Sequence, residues 1–253
     1  LSKTTSLFLI SLFLSASSPF FLGAASGQEN TPGLIRAIGT DSSSIENAFY
    51  LWTTIDNDTS PYHWAYLYGE GVFALGKELG LEVDFPNLLT YTPLGEYPLA
   101  LGPTGLYLRY EALHSGNWSS ETAGSLSFQA GAAYAQPLKP YRYLGSSFTL
   151  KALGGYRWGN FFVQGNYAFQ GGIDPQSLTM WQANNAFGYS LGGPFYVQLE
   201  ANLYAVTAPF NDASWTVTPQ LAFQQDEWLL EFGEALNDEH PAGQTQVLIA
   251  RAF

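Results

Sequence analysis

Three histidines, His63, His114 and His240, and six regularly placed charges, Glu70, Asp84, Arg109, Lys151, Glu200 and Glu231, are the residues to question first for chemistry. Acyl transfer needs a nucleophile beside an oriented base. On a strand, a serine two positions from a histidine shares its face. No histidine here has one; His114 is followed directly by Ser115, whose side chain turns to the opposite face. All three histidines fall at expected strand ends or in loops. The acid pairs Asp226–Glu227 and Asp238–Glu239 fall in expected turns and read as solvated. With no cysteine, a thiolate zinc site is excluded. No catalytic residue, metal or cofactor is therefore expected, and the chain reads as a non-enzyme. The six charges offer something else. A ring of net negative charge round a narrow opening favours cations. Alternatively, Arg109 and Lys151 pair with Glu70, Asp84 and Glu111 and fill the space. The sequence leaves both open.

Composition limits what can hold these residues. Of 253 residues only 12% are charged, while 16% are aromatic. The charged share is about half that of ordinary soluble domains. Disordered chains have the reverse bias. Nine basic residues against 21 acidic ones, a net charge of −12, would repel phosphate, so nucleic acid is not an expected partner. A helical membrane bundle needs runs of about 20 apolar residues, and only the N-terminus approaches one.

Lys3, the apolar run Leu7 to Leu14, the patch Pro19 to Leu22 and the small residues Gly23, Ala24, Ala25 and Ser26 have the order of an export signal. Residues 1–26 are expected to be a cleaved signal peptide; a retained anchor would be interrupted by Ser15, Ser17, Ser18 and Pro19. Residues 27–43 would then be a periplasmic segment or a plug, and 44–253 the folded body.

That body alternates with period two. Phe195, Val197, Leu199, Ala201, Leu203 and Ala205 interleave with Tyr196, Gln198, Glu200, Asn202 and Tyr204. Successive strand residues point to opposite faces, so one face is apolar and the other polar. The pattern predicts twelve strands, near 44–53, 63–76, 79–90, 103–114, 123–136, 145–157, 160–170, 177–191, 194–206, 213–224, 226–236 and 244–253. Very short turns at Lys77–Glu78, Trp158–Gly159, Gly192–Gly193 and Gln225 alternate with longer polar connections such as 91–102 and 136–145. Short turns on one rim and long loops on the other mark a membrane barrel. Aromatics fall at strand ends: Trp64, Tyr156, Phe161, Phe195, Trp215, Phe223, Trp228 and Phe253. Interfacial girdles lie there in such barrels. A soluble sandwich would also alternate, but its wet face would carry more charge than this one. The expected fold is therefore all-β: an antiparallel transmembrane β-barrel of about twelve strands. Counted from the short turns, the six charges lie at one height, with Glu82, Glu111 and Arg157 lower.

The segments Leu79-Gly80-Leu81-Glu82-Val83-Asp84-Phe85-Pro86 and Gly105-Leu106-Tyr107-Leu108-Arg109-Tyr110 resemble those of bacterial outer-membrane barrels. More narrowly, they are similar to transporters of the phenol-degradation meta-pathway type. Phe253, with Val247 and Ile249 at alternate positions before it, resembles the terminal signal of that barrel class, although Arg251 falls on the apolar face and must snorkel. The resemblance implies an outer-membrane location among membrane lipid and lipopolysaccharide, and passage of small solutes, hydrophobic ones included; the acidic belt adds cationic ones. The alternatives are a closed barrel with a structural or surface-interaction role, or a lipid-modifying enzyme.

Overall fold

The computed structural model describes residues 37, 40–57, 63–86, 88–92, 100–116, 121–134, 146–174, 177–208, 212–237 and 243–253. The expected signal peptide, and residues 27–36 after it, lie outside these. Fourteen strand segments form one sheet: β1 (Ala48–Asp56), β2 (His63–Ala74), β3 (Leu79–Asp84), β4 (Leu88–Thr92), β5 (Ala100–Leu101), β6 (Thr104–Ser115), β7 (Thr122–Tyr134), β8 (Ser147–Trp158), β9 (Phe161–Gly172), β10 (Thr179–Gly192), β11 (Phe195–Ala208), β12 (Asp212–Gln225), β13 (Trp228–Ala235) and β14 (Gln244–Ala252).

Every pairing is antiparallel, and β1 pairs with both β14 and β2, so the sheet closes on itself. β3 and β4 pair in turn with the lower and upper parts of β2, as one stave broken near Pro86. Proline has no N–H to give to the ladder. β5 and β6 are likewise parted by Gly102 and Pro103. The result is a closed barrel of twelve strands, matching the expected number. The first strand differs: expected over 44–53, it starts at Ala48 and runs to Asp56. Asn47 is held at the barrel edge instead, its Oδ1 accepting from the Ala74 N–H at 2.8 Å and its carbonyl from the Phe253 N–H at 2.9 Å.

Four of the five turns on one rim are tight; the fifth, between Ser115 and Thr122, is longer. Gly159, Gly193 and Asp226 take positive φ there, the backbone that two-residue hairpins require and that aspartate tolerates better than most side chains.

The faces are inverted relative to a soluble protein. Leu106, Leu108, Phe128, Leu150, Trp181, Phe187, Leu199, Leu203, Trp215 and Leu221 stand exposed on the outside, while Gln129, Gln164, Asn166, Gln198, Asn202 and Gln220 are buried inside. A continuous exposed apolar band round a closed backbone is stable only in lipid, where closure leaves no unpaired edge. The barrel is therefore a transmembrane one. Its interior is not uniformly polar. Towards the short-turn rim Tyr50, Val72, Phe162, Leu229 and Leu248 form an apolar cluster, with Trp52 and Tyr196 packed against it. A bulge between Glu111 and Leu113 shifts the face pattern of β6. Beyond it Leu113 faces outward and His114 turns back to Glu111.

Candidate functional site: the barrel lumen

Alternation turns Glu70 and Asp84 inward, and β2–β3 pairing sets them directly opposite each other. On the next stave Arg109 faces inward, followed by Gln129 on β7 and Lys151 on β8, each opposite the last. Glu82 joins this row. It forms an ion pair with Arg109 Nη2 and accepts from Gln129 Nε2 at 2.8 Å; Lys151 Nζ lies 3.8 Å away. Arg109 Nε also donates to Gln129 Oε1 at 3.1 Å. Lys151 Nζ stands 5.6 Å from the centre of the Tyr107 ring. Charges out of water persist only when paired and hydrogen-bonded in this way. The carboxylates of Glu70, Glu82 and Asp84 approach within 4.8 Å of one another. Such an oxygen set suits hard cations, but Arg109 and Lys151 already bring positive charge against Glu82.

The other two charges lie round the wall. Glu200 on β11 accepts from Gln220 Nε2 at 2.7 Å, and Glu231 on β13 accepts from Gln198 Nε2 at 2.8 Å. Cross-strand pairing lines Asn166, Asn184 and Asn202 into one row over β9, β10 and β11. On this wall Gln198 Oε1, Asn202 Oδ1 and Thr218 Oγ1 are buried with no hydrogen-bond partner among the described residues, as is Asp84 Oδ1 opposite. Buried polar atoms left without a protein partner are ordinarily satisfied by water.

The six charges thus form two groups rather than one even belt. Glu70, Asp84, Arg109 and Lys151 cluster round Glu82; Glu200 and Glu231 lie apart from them. Counting residues from each turn had put Glu82 below the others. Tilted strands are staggered, so equal counts do not mean equal heights. Here Gly80, the second residue of β3, faces Arg109 near the middle of β6. Glu111 meets His114 Nδ1 at 2.9 Å rather than either base.

Residues 40–44 also belong to this site. Thr40, Asp41, Ser42, Ser43 and Ser44 are all buried, 0–6% exposed. Asp41 Oδ2 pairs with Lys151 Nζ at 2.7 Å. Arg109 Nη1 donates to the carbonyls of Ser42 and Ser44, at 2.9 and 3.4 Å. The Ser127 hydroxyl donates to the Ser43 carbonyl, and the Ser43 and Ser125 hydroxyls bond each other. Thr40 Oγ1 donates to Glu200 Oε1 at 2.7 Å, on the far wall. Of residues 27–43, the expected periplasmic segment or plug, the last four lie inside the lumen.

Of the histidines, His240 lies outside the described residues and His63 is placed by its backbone alone, at the start of β2. His114 engages Glu111, while the Ser115 hydroxyl donates to the Gly124 carbonyl at 3.4 Å.

By sequence the chain matches no protein-family model and no curated protein. By structure it resembles a KdgM porin, with a TM-score of 0.51 at 10% identity, over 81% of this chain and 99% of that one. The same figures hold for a KdgM porin in complex with disordered oligogalacturonate. Acinetobacter baumannii OccAB2 gives a TM-score of 0.43 at 10% identity, over 79% of this chain and 59% of that one. At this identity the likeness concerns the fold.

Proposed function

We propose that the chain is a channel of the bacterial outer membrane that passes small cationic or uncharged solutes. The observation that carries this is the lumen wall of β11 and β12. There Gln198, Asn202 and Thr218 face inward with oxygens that no group among the described residues satisfies. A barrel built as a solid body would fill that volume with apolar side chains, because each unsatisfied buried polar atom costs about 1–3 kcal/mol. As packed here these wall oxygens have almost no exposed surface, so they gain water only where the lumen opens beside them, which fits a path that opens.

Charge sets the preference. Arg109 and Lys151 are each engaged by carboxylates, while Glu70, Glu200 and Glu231 bring further acidic side chains to the wall. Oligogalacturonate, bound by the KdgM porin, is a polyanion and would be a poor guest in such a lumen. The similarity of Leu79–Pro86 to phenol meta-pathway transporters makes small aromatic molecules the hydrophobic solutes to try.

The test is single-channel recording of the protein in a planar bilayer under a salt gradient, with vesicle swelling as a second readout. The expected result is a cation-signed reversal potential and swelling with small neutral sugars but not with oligogalacturonate. A second reading, a barrel closed throughout with a structural or surface role, is favoured by the burial of Thr40–Ser44 inside it. Silence at every voltage, together with no swelling, selects that reading.

A further inference from the structure

Residues 40–44 cross the barrel interior. Ser42 and Ser44 are held by Arg109 on β6, Asp41 by Lys151 on β8 and Thr40 by Glu200 on β11. In the strand order β11 lies five staves from β6, nearly opposite it in a twelve-stranded barrel. We propose that residues 40–44 are a gate, a polar strap that closes the lumen as seen here and swings out on a pivot at residues 45–47 to open it. The proposal rests on the channel reading above and assigns its regulation.

Three observations support a strap that moves. First, its residues are Thr40, Asp41, Ser42, Ser43 and Ser44, with no large apolar side chain among them. It is held by hydroxyls, carbonyls and an ion pair, and water entering the lumen competes for every such contact. Second, the wall groups that grip it keep wall partners when it leaves. Arg109 retains Glu82 and Gln129, Lys151 retains Glu82, and Glu200 retains Gln220. No buried charge is stranded by release, so open and closed states can lie close in free energy. Third, the strap joins an anchored pivot. Ile45 is buried against Gly80, and Asn47 is bonded to both Ala74 and Phe253. A segment held by polar contacts alone and continuing from a fixed point can turn about that point as a hinge.

The absence of cysteine makes the test clean. Ser43→Cys with Ser125→Cys replaces two hydroxyls in contact, so a disulfide there would lock the strap to β7. Full-length protein is recorded in planar bilayers, oxidised and then reduced, with bond formation checked by gel mobility. The oxidised form is expected to be silent, and reductant to restore wild-type events. Asp41→Asn, which removes one charge from the latch, is expected to raise the open fraction about tenfold, the scale of one charge-assisted hydrogen bond. Equal currents in oxidised and reduced protein would overturn the gate and leave the channel standing. Opening by Phe162→Ala but not by Asp41→Asn would also overturn it, placing the closure in the apolar cluster. No current from any of these proteins would reject the channel, and the gate with it.

Discussion

Glu82 lies in an ion pair with Arg109, and the two side chains are only 1% and 2% exposed. They come from neighbouring staves, β3 and β6, and Gln129 bridges them from β7. Removing one partner strands a charge in the wall. Glu82→Ala is expected to lower the stability of the folded barrel by about 3–5 kcal/mol. Glu82→Leu combined with Arg109→Met should recover most of that loss, since an apolar pair needs no compensation. Urea unfolding followed by tryptophan fluorescence in vesicles checks both. A single variant as stable as wild type would mean that water reaches the pair.

The barrel seam makes a second prediction. Phe253 stacks on Phe49 at 5.3 Å between ring centres and meets Phe73 edge-on at 6.2 Å. Its N–H also bonds Asn47. Phe253 thus clamps β1 to β14. Phe253→Ala is expected to destabilise closure by about 3 kcal/mol, as for other aromatic truncations, and Phe253→Tyr by much less. Heat-dependent gel mobility reports it: the folded band should convert to the unfolded one at a lower temperature for Phe253→Ala.

Alternation made the twelve staves legible, because a two-sided barrel wall writes its faces into every second residue. Phe195 to Val206 reads directly as one outward and one inward series. Three features were not legible for physical reasons. The Ala112 bulge breaks the period without a glycine or proline to announce it, and so hides that His114 turns to Glu111. Glu82 pairs across the ladder with Tyr107 and reaches Arg109, two residues further along β6, on the diagonal, a contact that a count from the turns does not show. The strap has no period: residues 27–43 read equally as a periplasmic segment or a plug, and only the contacts of Thr40 to Ser44 with Lys151, Arg109 and Glu200 put these five in the lumen. Arg109 meets Glu82, and Lys151 meets Asp41 and Glu82, two carboxylates that the sequence reading did not pair with them.

Selectivity supplies a third prediction. Glu200 and Glu231 are buried in the wall of β11 and β13, each bonded to a neighbouring glutamine. Glu200→Gln and Glu231→Gln keep shape and hydrogen-bonding capacity while removing charge. Each is expected to reduce the cation-to-anion permeability ratio about twofold, and the double variant more. Asp226→Asn, at an exposed turn with positive φ that asparagine also accepts, should leave the ratio unchanged. Reversal potentials under a salt gradient measure all four. If Asp226→Asn shifts the ratio as much as Glu200→Gln, net charge rather than the lumen wall sets selectivity.

Two glycines on neighbouring staves should respond in opposite ways to the same change. A Cβ at Gly131 would overlap the Leu106 carbonyl oxygen and lie 2.6 Å from the Tyr107 Cα. Both are backbone atoms of the paired strand β6 and cannot rotate away, whatever the Tyr107 ring does. Overpacking of this kind costs about 3 kcal/mol, and here it also pushes apart the ladder that carries Arg109 and Tyr107. At Gly154 a Cβ would meet only Leu126 Cδ1, at 4.0 Å, an ordinary contact. Gly131→Ala is therefore expected to lose most of the folded, heat-modifiable band, whereas Gly154→Ala keeps it, with a slight gain from the reduced freedom of its unfolded chain. Equal loss in both variants would mean that glycine is needed on these strands for flexibility in folding rather than for the close approach of β6 to β7.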